Sequence, residues 1–222
     1  MKVLDESVFG DLILAPRPWP HALLHGCFRP DRVAELEGDF PTVGFHWFIQ
    51  YQMARARGDR ESEERHRIMH RTLVDMGATG VDRRFGEVAE VWVDLATDLD
   101  SMELRERLSE LTGRDIRDSP MRADFWRYMP GAAFQPHIDK PHKVVTVLLY
   151  LSGRWPESGG GELVLLESPE AEPVVELAPV TGAGAVFPYV PTGWHGVRRL
   201  SPEYAQERRG IQAWYWSGAE DC

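Results

Sequence analysis

From about residue 120 onward the chain breaks into short runs of β-branched and aromatic residues, separated by glycine and proline. The runs span 123–129, 134–139, 143–152, 161–167, 173–178, 184–189, 195–200 and 208–216. Pro130-Gly131, Ser158-Gly159-Gly160-Gly161 and Pro191-Thr192-Gly193 supply turn chemistry between them. Eight short strands with turns between them suggest two sheets closed into a squashed barrel. The expected fold is mainly β with flanking helices: a double-stranded β-helix (jelly-roll) core packed against N-terminal helices.

Ahead of residue 120 the sequence is charged and helix-like. Residues 19–40 read as a short strand, a turn at Pro30-Asp31 and a helix carrying Val33, Leu36 and Phe40. Residues 46–76 hold dense mixed charge and read as a solvated helix, or a helix pair broken near Gly58. Residues 87–97 fit strand or helix, because periodicity alone does not separate the two. Residues 101–112 read as a helix capped by Ser101, with Leu104, Leu108 and Leu111 on one face and Gly113 as its stop. The expected organisation is a single domain over 1–222, with 1–119 as helical and strand support and 120–217 as the jelly-roll core.

The net charge of −10 argues against nucleic acid, which needs a basic stripe. It is compatible with a neutral or cationic small molecule. Cys27 and Cys222 form no disulfide framework or zinc-finger spacing and read as free thiols in a cytoplasmic protein. No apolar run approaches the roughly 20 residues of a membrane helix, and residues 1–14 do not read as a signal peptide.

The chemistry concentrates in Gln135-Pro136-His137-Ile138-Asp139. Residues i and i+2 of a strand share a face, so His137 and Asp139 point together and Ile138 points away. His195, in a glycine-flanked turn entering a strand, is the candidate third ligand. Two histidines and one carboxylate on one face of an octahedron leave three positions open, the arrangement of non-haem iron(II) oxygenases. His-x-Asp by itself is a weak signal, and the surroundings strengthen it. Of Arg208 and Arg209, alternation turns one into the barrel, where a guanidinium needs an anionic partner and suits a carboxylate. Tyr150 ends a run too apolar for a one-sided strand, and its hydroxyl could serve the same carboxylate.

In order, Tyr128-Met129-Pro130-Gly131, His137-Ile138-Asp139, Lys143 to Leu151, Gly159 to Leu163, Gly184 to Phe187, Trp194 to Val197 and Arg208 to Trp216 resemble the iron(II)/2-oxoglutarate-dependent dioxygenase superfamily, in its prolyl-hydroxylase-like branch. The likeness covers about residues 120–217, and Pro20 to Leu24 through Phe40-Pro41 resembles the lead-in of bacterial members. It implies that His137, Asp139 and His195 hold Fe(II). It implies that Arg208, six residues before Trp214, pairs with the distal carboxylate of 2-oxoglutarate. Tyr150 would bond the same carboxylate, and Tyr128 would lie near the cosubstrate. Gln212 falls where some members place a hydroxyl residue, so its role stays open. Related halogenases lack the carboxylate that Asp139 supplies here, which favours hydroxylation with O2 as oxidant.

The resulting expectation is oxidation of an unactivated C–H bond in a small molecule, with formation of succinate and CO2. Peptidyl (prolyl-type) hydroxylation and a cupin-like barrel that does not use 2-oxoglutarate are the alternatives, with a binding barrel that lacks activity as the non-enzyme reading. His66, His70 and His142 read as surface residues, with the rim of the site as the alternative for His142. His46-Trp47-Phe48 with Tyr51 reads as core packing that could also line a pocket, as could Trp155 and Trp194.

Overall fold

The computed structural model describes residues 1–48, 67–78, 80–84 and 86–217. Eleven strands form two antiparallel sheets among the described residues. In chain order they are β1 Ala22–Leu24, β2 His46–Trp47, β3 Ile68–Val74, β4 Met121–Tyr128, β5 Phe134–His137, β6 Lys143–Tyr150, β7 Leu163–Leu166, β8 Val175–Leu177, β9 Gly184–Pro188, β10 Trp194–Val197 and β11 Arg208–Trp216. The larger sheet runs β1-β9-β6-β11-β4-β3-β2 and the smaller β5-β10-β7-β8. This is the double-stranded β-helix, with three strands of the larger sheet drawn from the first half of the chain.

Alternation gives the larger sheet an apolar outer face and a mixed inner one. Ala123 and Phe125 of β4, Val145, Val147 and Leu149 of β6, and Ile211, Ala213 and Tyr215 of β11 point outward and are buried. They are covered by α1 Glu6–Gly10, α2 Val33–Gly38, α3 Glu90–Leu99 and α4 Met102–Thr112. In α3 the buried Val91, Trp92, Leu95, Ala96 and Leu99 form one helical stripe, which resolves the ambiguity over 87–97 in favour of helix. Ser101 caps α4 by accepting from the Leu104 N–H at 3.3 Å, and Gly113 ends it at φ +66°. Tyr215 ties sheet to helix by donating to the Leu99 carbonyl at 2.5 Å.

The helix expected across 46–76 is not formed where the structure describes it. β2 and β3 occupy 46–47 and 68–74, and 49–66 lie outside the described residues. β3 pairs along β4, where its β-branched Ile68, Thr72 and Val74 suit a half-buried ladder. Charge misled the reading at Arg71. Its side chain is buried, donating to the carbonyls of Val43 (3.0 Å), Gly86 (2.8 Å) and Glu87 (3.3 Å). A guanidinium satisfied by carbonyls is a core residue, not a sign of a solvated face.

The inner face of the larger sheet is a ladder of cross-strand rungs. Ile68, Tyr128 and Arg208 make one rung; His70, Trp126, Gly210 and Tyr150 the next. Thr72, Asp124, Gln212 and Leu148 follow, then Arg122, Trp214, Thr146 and Phe187. Gly210 has to be glycine for packing reasons: a Cβ there would stand 2.6 Å from the Leu149 carbonyl oxygen and 3.3 Å from the Tyr150 ring.

Candidate active site

The ladder faces the smaller sheet across a cavity of about 550 Å³. One wall carries His137 and His195, which are directly paired residues of β5 and β10 with ring centroids 4.3 Å apart. Asp139 lies just past the end of β5, so the strand is two residues shorter than the run 134–139 suggests. It still converges with the histidines: one ligand atom from each of His137, Asp139 and His195 lies within 4.8 Å of the others.

Neighbouring groups orient all three. His137 Nδ1 lies 3.1 Å from the Gln135 carbonyl, and His195 Nδ1 lies 2.9 Å from the Gly193 carbonyl. A carbonyl only accepts, so each Nδ1 carries the proton and each Nε2 keeps its lone pair. Asp139 accepts from Lys143 Nζ at 2.8 Å through Oδ1 and from Thr146 Oγ1 at 3.1 Å through Oδ2. Burial, reinforced by His195, pushes the His137 imidazole down to about 3 and keeps it neutral. Burial pulls Asp139 upward, but the Lys143 ammonium and its hydrogen bond outweigh it and hold the carboxyl down at about 2. Two imidazoles that turn Nδ1 to a backbone carbonyl and leave Nε2 free, beside one ionised carboxylate, fit a divalent metal of the iron type.

Thr146→Val removes one donor to Asp139 without changing charge. The expected result is a loss of about tenfold in metal affinity, read by competition with a chromophoric chelator. An unchanged affinity would mean that Thr146 does not orient the carboxylate.

At the other end of the ladder lies Arg208, with only 6% of its surface exposed. Its Nε donates to the Gly161 carbonyl at 2.8 Å and its second terminal nitrogen to Tyr150 Oη at 3.1 Å. The guanidinium is sandwiched between the rings of Tyr128 (4.7 Å) and Tyr150 (4.6 Å). Among the described residues no carboxylate pairs with it. A buried cation without a counter-charge is costly and awaits an anion. Burial raises both phenols, Tyr128 to about 12, so both are protonated at neutral pH. Tyr150 accepts from Arg208 and keeps its own O–H to donate to a ligand. Arg209, by contrast, points out, bonds Glu207 and lies over Phe40.

Gln212 is half-buried on the rung between the two ends and lines the cavity. All seven residues singled out in the sequence, His137, Asp139, His195, Arg208, Tyr150, Tyr128 and Gln212, therefore line one cavity. Phe48 lines it as well. His70 is a correction: it does not sit on the surface but in the cavity wall, stacked on Trp126 at 5.3 Å. His142 stacks on Trp216 at 4.5 Å. Trp155 does not line the cavity; it donates to the Gly160 carbonyl at 2.7 Å. His66 and Tyr51 lie outside the described residues. Arg122, Asp124, Trp126, Trp214 and Trp216 line the cavity without having been singled out for it. Their period-two spacing within β4 and β11 was the available signal.

No helix among the described residues is long and apolar enough to cross a membrane. No curated protein sequence matches this chain at a significant level. Solved structures resemble it in fold. A Pseudomonas putida prolyl-4-hydroxylase is 20% identical, with 84% of this chain and 100% of that one covered at a TM-score of 0.50. A prolyl hydroxylase from Trichoplax adhaerens, solved with a hypoxia-inducible-factor peptide fragment, is 20% identical, with 88% and 83% covered at 0.55. HygX from Streptomyces hygroscopicus, solved with nickel and 2-oxoglutarate, is 12% identical, with 90% and 83% covered at 0.55. The sequence model of the 2OG-Fe(II) oxygenase superfamily matches residues 123–216, a span that holds the His–Asp–His cluster, Tyr128, Tyr150 and Arg208. Residues 123–216 thus match the 2OG-Fe(II) oxygenase superfamily, and together with the His–Asp–His cluster they support an oxidoreductase of the kind that uses Fe(II), 2-oxoglutarate and O2.

Proposed function

We propose that the enzyme hydroxylates an unactivated C–H bond of a small molecule, with His137, Asp139 and His195 as the iron ligands. Arg208 and Tyr150 would receive the distal carboxylate of 2-oxoglutarate. The observation that carries this reading is the buried guanidinium without a carboxylate partner, in the same cavity as the ligand cluster. A cavity of about 550 Å³ is the size of small-molecule sites, which run from about 300 to 1,000 Å³.

When bound, iron(II) with 2-oxoglutarate and O2 supplies the oxidant for the C–H bond, and the cosubstrate leaves as succinate and CO2. The chain's own residues do the positioning. The carbonyls of Gln135 and Gly193 set the histidine tautomers, and Lys143 and Thr146 hold Asp139 ionised and oriented. Tyr150 offers its O–H beside the guanidinium, so charge and hydrogen bond reach a carboxylate together. Leu148 and Leu163 line the cavity and limit competing water.

The test is anaerobic titration of Fe(II)-loaded protein with 2-oxoglutarate, followed by succinate assay in air. A weak visible charge-transfer band and slow succinate formation are expected even before the substrate is known. Iron-loaded, folded protein with neither would move the cupin-like reading to the front.

A further inference from the structure

An aromatic wall runs along the same cavity, from Trp126 on the rung next to Arg208 to Trp214 on the rung of Arg122. Phe48, Phe134 and Trp216 line the cavity with them. Phe48 stacks on Phe134 at 5.7 Å and meets Trp126 edge-on at 5.0 Å. These walls suit an apolar, ring-sized body.

Their polar atoms are unbalanced. The indole N–H groups of Trp126, Trp214 and Trp216 are buried and have no hydrogen-bond partner among the described residues, while His70 Nδ1 lies 3.5 Å from Asp124 Oδ2. Buried donors are costly to leave unmade, so they mark positions that a ligand acceptor would fill. Asp124, the only carboxylate there among the described residues, has both oxygens engaged by Arg122, through Nε at 3.1 and 3.2 Å and a terminal nitrogen at 3.0 Å. That pairing leaves Arg122 with a second terminal nitrogen to offer. The region is therefore rich in donors and poor in free acceptors.

Charge points the same way. Among the described residues, Arg122, Lys140, Lys143 and Arg208 line the cavity against Asp124 and Asp139. A divalent metal and a dicarboxylate bring opposite charges that cancel, so the positive excess remains for the substrate. The chain-wide charge of −10, which is compatible with a neutral or cationic substrate, is not carried by this lining among the described residues.

We infer that the substrate is a small organic acid with an apolar, ring-sized body, its acidic group held at the Arg122 end of the cavity. This inference rests on the oxygenase reading above and gives its substrate class. Arg122 would act as a specificity residue, held in place by Asp124.

The test uses three probes that share one ring and differ in charge: 3-phenylpropionate, 3-phenylpropionamide and 3-phenylpropylamine. Binding is read by calorimetry on metal-loaded protein, with and without saturating 2-oxoglutarate. The acid should bind at least about tenfold more tightly than the amide or the amine. The preference should collapse in Arg122→Gln. It should collapse equally in the double variant Arg122→Gln/Asp124→Asn, which leaves no buried carboxylate unpaired and so guards against misfolding. An amide or amine that binds as tightly as the acid, or an acid preference that survives both variants, would overturn the inference. Titration of 2-oxoglutarate on the same samples separates the two claims. Wild type that binds 2-oxoglutarate but shows no acid preference sinks only the substrate class. Wild type that binds no 2-oxoglutarate sinks the oxygenase reading.

Discussion

Arg208→Ala is expected to weaken 2-oxoglutarate binding by about a hundredfold, with larger losses within range. Truncating one partner of a buried, hydrogen-bonded charge pair costs about 2–5 kcal/mol, and each 1.4 kcal/mol is roughly tenfold. The loss falls on binding because Arg208 lies at the opposite end of the ladder from the rung of Thr146, which bonds Asp139. Without cosubstrate the sign reverses. Removing a buried cation that has no counter-charge should leave the melting temperature unchanged or higher. The signature is thus a protein as stable as wild type whose stabilisation by 2-oxoglutarate has vanished. Arg208→Lys keeps the charge but loses the planar fork, and should fall between the two. Arg209→Ala is the control, since Arg209 is one-third exposed and bonded to Glu207. Calorimetry of the three variants decides the matter; Arg208→Ala binding 2-oxoglutarate like wild type would refute the assignment.

His195→Ala should abolish stoichiometric iron binding and, with it, succinate formation. Loss of an outer partner such as Thr146 costs about 10–100-fold in metal affinity, and loss of a ligand must exceed that. His195 is buried and packs near Phe187 and Trp19, with ring centroids 5.2 and 6.2 Å away, so truncation also opens a hole. His195→Gln, which fills more of that space, separates the effects: it should stay folded by circular dichroism and still hold no iron by elemental analysis. One equivalent of iron together with normal turnover in either variant would show that His195 is not a ligand.

The eight runs after residue 120 all appear as strands, though β5, β6, β7, β8, β9 and β10 are shorter than the runs that announced them. Turn residues and β-branched content are local signals, and strand ends are not. The choice of Arg208 over Arg209 needed the family resemblance as well as alternation. The structure turns Arg208 inward on the same face as Gly210, Gln212 and Trp214. β3 was misread because its charged residues were taken as exposed. Burial of Arg71 depends on three carbonyls from two loops, which no local pattern announces. His70 was misplaced for the same reason: its environment is Trp126, more than fifty positions away in the chain.

By itself the sequence determined which side chains share a face within one strand, where turns fall and which residues bear ligand chemistry. Each of these follows from geometry repeated over two to four neighbouring residues. Only the tertiary structure decided which strands lie side by side and in what register. That choice set His137 opposite His195, Asp124 beside Gln212, and three unpartnered indole N–H groups along one cavity. Register between distant strands is selected by the burial of whole faces against one another, and a shift of one residue would turn every one of these side chains away.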